Sequence, residues 1–149
     1  MTITPANLDG RCNCFAIRKA ARYLSAAYDK ALAPVRLRNT QFSILQKLAS
    51  LGPVTIKQLA AIIAMDRTTL ATNLKPLERE GLIATAAAAD RRARNIEITP
   101  RGRARFEEAL PLWTGMQDVF EHRFGEGEAA ALRNSLRDVL ATGFEPWAE

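Results

Sequence analysis

Cys14, Ile17, Ala21, Leu24, Tyr28 and Leu32 recur at spacings of three and four residues, the signature of one helical face. Pro34 ends that helix. Asn39 or Thr40 is placed to cap the next, whose inward face is Phe42, Leu45 and Leu48, and Gly52-Pro53 stops it. Thr55 then caps a short helix with Ile56, Leu59, Ala60 and Ile63 turned inward. After a turn at Met65-Asp66 a further helix is expected from about Arg67 to Glu80, with Gly81 just past its end. The pattern then changes period. Leu82–Thr85 and Asn95–Ile98 read as short strands, Ile96 and Ile98 sharing a face, joined by AAAADRRAR. Thr99-Pro100 is a helix start, and a long helix follows through Phe106, Leu110, Trp113, Met116 and Phe120 to about Phe124. Gly125 and Gly127 interrupt it, and a last helix aligns Leu132, Leu136 and Val139. The expected class is mainly α with a small β-hairpin. Two short helices joined by a tight turn, followed by a hairpin with a basic tip, make a winged helix-turn-helix.

The helix from Arg67 carries the most informative outward face. Leu70, Leu74 and Leu77 lie together. At 100° per residue, Thr68, Thr72, Lys75 and Arg79 point within about 50° of the opposite direction. Thr69 and Asn73 flank them, and Arg67 opens the helix. Ordinary solvated helices mix charge signs, whereas this face offers hydroxyls, an amide and cations. Such a face suits a major groove, where hydroxyls and amides read base edges and cations grip phosphates. Pro76 removes the hydrogen bond to the Thr72 carbonyl and is expected to bend the helix near its end. Arg91, Arg92 and Arg94 on the hairpin supply a second contact, to phosphates or a narrow minor groove. Asp90 is suited to orient one of these arginines.

Composition sharpens this picture. The 149 residues are 48% hydrophobic and 25% charged, enough apolar material for one core. The net charge of +5 is unevenly spread. Residues 1–54 hold eight Lys/Arg against two acids, residues 55–105 ten against five, and residues 106–149 three against nine. A basic front and an acidic tail suit a polyanion-facing region joined to one with another task. No apolar stretch approaches the roughly 20 residues of a membrane span, and MTITPANLDG lacks the basic start and apolar core of a signal peptide. A cytoplasmic location is expected, with Cys12 and Cys14 as free thiols.

Two motifs together resemble the MarR family of transcriptional regulators. Asp66-Arg67-Thr68-Thr69-Leu70, Leu74 and Leu77-Glu78-Arg79-Glu80-Gly81-Leu82-Ile83 resemble its recognition helix and first wing strand. Asp90-Arg91-Arg92, Ile96, Ile98-Thr99-Pro100 and Gly102 resemble its wing signature, with Ile98 where leucine is usual. The resemblance covers nearly the whole chain as a single subunit, 1–149. It implies a winged lobe at about 40–102 between N- and C-terminal dimerisation helices at about 11–36 and 103–149. It further implies a homodimer on pseudo-palindromic double-stranded DNA, commonly as a repressor. Thr68, Thr69, Thr72 and Asn73 would then face the major groove, with Arg92 and Arg94 in the wing.

Cys14-Phe15-Ala16-Ile17 and Tyr28 resemble the OhrR-type branch of that family, in which a first-helix cysteine is oxidised and a tyrosine holds its thiolate. Arg18 and Asn39 stand where that branch has further tyrosines. Fourteen helical residues separate Cys14 from Tyr28 by about 21 Å, so the two can meet only across a dimer. Arg18, one turn on, can lower the thiol pKa, and Cys12 is a nearby partner thiol. Three readings of Cys14 stay open: an oxidant sensor, a small apolar core residue, and a thiophilic metal ligand. The other candidate signal is a small apolar or phenolic effector in a crevice walled by Trp113, Met116, Phe42 and Arg18. No cofactor is called for. An enzyme is not expected, because the single His122 has no nucleophile or metal partner and no hydrolase, phosphate-loop or zinc-protease motif occurs. The competing class is a protein-interaction module built of amphipathic helices, which would not need the Thr68–Asn73 face and the Arg91–Arg94 loop together.

Overall fold

The computed structural model describes residues 1–87 and 93–148, so Asp90, Arg91 and Arg92 lie outside the described residues. A single turn, α1 (Pro5–Leu8), precedes the long α2 (Asn13–Leu32). Cys12 caps α2, its Sγ accepting the Phe15 N–H at 3.3 Å. Pro34 sits in a 3-10 turn at Ala33–Val35, and Arg36 takes a left-handed φ of 57° to reverse the chain. Helix α3 (Asn39–Leu51) is capped by Arg38 rather than by the expected Asn39 or Thr40. The Gln41 side chain accepts the Arg38 N–H at 3.0 Å, while the Asn39 carboxamide is already bound to Asp29. Gly52, at φ 77°, ends α3 as its position predicts.

A two-residue strand, β1 (Val54–Thr55), leads into α4 (Ile56–Ile63). Thr55 and Gln58 cap its start reciprocally, Thr55 Oγ1 accepting the Gln58 N–H at 3.1 Å and Gln58 Oε1 accepting the Thr55 N–H at 2.9 Å. Left-handed Ala64 makes the tight turn into α5 (Arg67–Arg79), which continues through Pro76. The wing strands are β2 (Ile83–Ala87) and β3 (Arg94–Ile98). The sheet holds three strands in the order β1-β3-β2, all antiparallel, with Ile96 opposite Val54 on one side and Thr85 on the other. The expected hairpin therefore gains a third strand.

Helix α6 (Pro100–Phe124) runs for 25 residues, about 37 Å at 1.5 Å per residue, and α7 (Glu126–Leu140) folds back against it. Gly125 makes this break with a φ of 105°. Gly127, expected to help interrupt the chain, lies inside α7. One left-handed residue suffices to reverse the direction.

The core gathers Leu45, Leu48, Leu59, Leu70, Leu77, Leu82 and Ile96 from four elements and the turn before β2, all fully buried or nearly so. Phe42 joins it to α6 by stacking on Phe106 and Trp113, at centroid distances of 5.1 and 5.8 Å. By contrast, Ile17 of α2, Val119 of α6 and Leu136, Val139 and Leu140 of α7 remain exposed. Among the described residues, no helix is long and apolar enough to cross a membrane.

Candidate nucleic-acid interface

Helix α5 is held by one face and free on the other. Leu70, Leu74 and Leu77 are buried, which fixes its rotation. Asp66 sets its start, Oδ2 accepting the Thr69 N–H at 2.9 Å. Hydrogen bonds from Thr69, and more weakly from backbone N–H groups, hold this carboxyl below its ordinary value of 3.8. It is therefore ionised at neutral pH and complements the helix dipole.

Arg67, Thr68, Thr69, Thr72 and Lys75 all lie on the exposed side. Thr72 donates its hydroxyl to the Thr68 carbonyl at 3.1 Å. Asn73 is half-buried, its Nδ2 donating to the Thr69 carbonyl at 2.9 Å and lying 3.9 Å from the Met65 sulfur. Its amide is thus committed to its own helix, and the freest hydroxyl is that of Thr68, since the Thr69 side chain also engages Asp66. Arg94 opens β3 opposite Ala87 with an exposed side chain. Arg91 and Arg92, the other wing cations, lie outside the described residues. Exposed Lys57, in the first turn of α4, borders the same recess as Arg67 and Thr68. Sequence periodicity marks Lys57 only as polar, so its place beside α5 needs the fold.

The sensing candidates divide between the start of α2, which holds Cys12, Cys14 and Arg18, and its far end, which holds Tyr28. Cys14 is exposed and Cys12 half-buried, both free, so Cys14 does not fill the subunit's own core. Arg18 is exposed on α2. Tyr28 points instead into a polar chain that ties three helices together. It donates to Gln117 Oε1, Gln117 Nε2 donates to Glu121 at 2.9 Å, and Arg133 of α7 pairs with Glu121 at 2.9 Å. Burial, and secondarily the charge of Glu121, push the Tyr28 phenol up, so it stays a neutral donor.

Above Tyr28 lies an apolar cavity of about 560 Å³ between α2, the start of α3, α6 and α7, a size suited to a small organic ligand. Of the four expected wall residues, Phe42 and Trp113 line it, while Met116 and Arg18 do not. Leu24, Ser25, Tyr28 and Asn39 complete the inner wall. Alanines at 16, 20 and 21 leave the space open, which an interior reading of α2 as a packed face does not reveal.

A three-stranded winged lobe with an exposed, carboxylate-poor helix agrees with what is known of similar chains. The MarR family model matches residues 37–93, from the buried Leu37 to the wing. The M. tuberculosis transcriptional regulator MosR, in complex with DNA, is 39% identical over 90% of this chain and 100% of its own, with a TM-score of 0.78. The HTH-type transcriptional regulator YwoH of Bacillus subtilis is 26% identical over 92 residues, 62% of this chain and 67% of its own. An E. coli MarR variant in complex with operator DNA shares the fold at a TM-score of 0.79, covering 93% of this chain and 99% of its own at 20% identity. The chain belongs to the MarR family and is a winged helix-turn-helix transcriptional regulator, not an enzyme.

Proposed function

We propose that this regulator binds a pseudo-palindromic operator in double-stranded DNA as a homodimer and represses transcription from it in the cytoplasm. The carrying observation is the exposed face of α5, where Arg67, Thr68, Thr69, Thr72 and Lys75 stand with no carboxylate among them. In this reading α5 enters the major groove, with Asn73 supporting its flank. Arg94, together with Arg91 and Arg92, follows the adjoining backbone. The dimer reading draws on the exposed apolar side chains of α2, α6 and α7, which two copies would cover together.

Release has two candidate triggers. A small apolar or phenolic effector would occupy the cavity beside Trp113 and Phe42, where Tyr28, Ser25 and Asn39 offer polar atoms at its edge. Oxidation at Cys14 is the other, with its exposed thiol, Arg18 one turn on, Cys12 as a nearby thiol and Tyr28 contributed across the dimer.

Selection of bound duplexes from a random pool, with and without peroxide, tests the reading. The expected result is a site with two related halves about 10 base pairs apart. Recovery of no preferred sequence at low salt would return the chain to the protein-interaction class.

A further inference from the structure

Asn39 sits where the DNA-binding lobe leaves the long helices, and it is bound there twice to one atom. Its backbone N–H and its Nδ2 each donate to Asp29 Oδ1 at 2.7 Å. Nδ2 also approaches the Ser25 carbonyl at 3.4 Å, one turn earlier on α2. Among the described residues, these are the side-chain hydrogen bonds that join α2 to α3. Bonds to a carboxylate are short and strong, so the first residue of α3 is fastened to α2 at this point.

Two cavities meet at this fastening. The apolar one, walled by Phe42 and Trp113, includes Ser25 and Asn39 in its lining. A second, of about 490 Å³, lies on the other side and is bounded by the same Ser25 and Asn39, and by Thr72, Asn73 and Pro76 of α5. Ser25 and Asn39 thus form a partition with the apolar cavity on one side and the Thr72–Pro76 edge of the recognition helix on the other. Helix α5 packs on α3, so a displacement of the α3 start is passed to α5.

We propose that Asp29 and Asn39 are a positioning pair that couples occupancy of the apolar cavity to the setting of the recognition helix. The inference rests on the DNA-binding reading above. Filling the cavity presses on the partition, and the pair converts that pressure into movement of α3 relative to α2. Coupling between two sites is reciprocal in binding free energy, and because the proposed pair acts by moving α3 against α2, DNA on α5 is expected to alter the cavity wall that Trp113 lines.

This reciprocity supplies a test that needs no effector. The chain has two tryptophans, and Trp147 borders the recess beside Arg67 and Thr68, where DNA would touch it directly. A Trp147→Phe background leaves Trp113 as the reporter. Its fluorescence quenching by acrylamide is measured with and without the duplex recovered from the random pool. The duplex is expected to change Trp113 quenching in the background protein. That change is lost in Asp29→Ala and in Asn39→Ala, while duplex binding persists, and it returns in Asp29→Asn, which keeps an acceptor oxygen. Asn39→Ala retains the backbone bond to Asp29 and so serves if Asp29→Ala does not fold. No response in the background, an equal response in the alanine variants, or no recovery in Asp29→Asn overturns the coupling with DNA binding intact. Failure to recover any duplex removes the DNA-binding reading itself and the coupling with it.

Discussion

Thr99 closes the base of the wing on Gly81, donating its hydroxyl to the Gly81 carbonyl at 2.6 Å. The same oxygen accepts the Gly102 N–H at 3.0 Å and caps α6. One side chain therefore joins the turn after the recognition helix to the start of the long helix.

This junction has no spare volume. A Cβ on Gly102 would fall 2.0 Å from the Leu82 carbonyl oxygen, a backbone atom that cannot turn aside. Gly102→Ala is expected to destabilise the subunit by about 3 kcal/mol, the upper end of the usual overpacking cost. Thr99→Ala, which removes a cap and leaves space, should cost about 1–2 kcal/mol. Urea unfolding ranks the two, and a larger loss in Thr99→Ala would contradict the steric account.

Asp66 predicts a pH effect of definite sign. Its folded pKa lies below the ordinary 3.8, so between the two values the unfolded chain binds more protons. Its contribution is complete above the unfolded value and is lost as pH falls through the folded one. Asp66→Asn keeps a capping side chain without the titration. Its denaturation midpoint should fall less steeply than that of the parent as pH drops below about 4; parallel acid limbs would remove Asp66 from the effect.

The helix and the wing should fail differently. Thr72→Ala alters the outward face of α5 and is expected to change which sequences the selection recovers. Arg94→Ala should weaken binding to all duplexes and flatten the log–log salt dependence by about 0.9 for a lost phosphate contact. Equal losses on selected and random duplex for Thr72→Ala, or an unchanged slope for Arg94→Ala, would withdraw the respective role.

Cys14 can be separated from Cys12 by substitution. If its thiol is the trigger, peroxide releases duplex from the parent and from Cys12→Ser far more than from Cys14→Ser, and a thiol reductant restores binding. Equal release from the Cys14→Ser protein would leave the apolar cavity as the remaining route of control.

Local spacing made most of the lobe legible. Leu70, Leu74 and Leu77 point inward as their intervals require, and Thr55 and Thr99 cap the helices they precede. What escaped the sequence depends on contacts between distant residues. Val54 becomes a strand only because Ile96 lies beside it, 42 positions away. Asn39 looks like a cap until Asp29, across a chain reversal, occupies its carboxamide. The cavity is hidden for a related reason: Ala16, Ala20 and Ala21 count as apolar in any pattern, yet their small volume leaves room once Trp113 and Leu132 come opposite. Periodicity reports which way a side chain faces, not what stands in front of it.

Helix α6 begins at the Thr99 junction and ends at the reversal into α7. A helix about 37 Å long, continuous through Pro111, has the reach of a lever: a tilt of about 5° at one end sweeps the other through about 3 Å. That is the length of a hydrogen bond. In the proposed homodimer, small adjustments where two copies meet would therefore be enlarged at the wing, and half-site spacing on DNA would become a mechanical reading of how the far ends of two such levers are set.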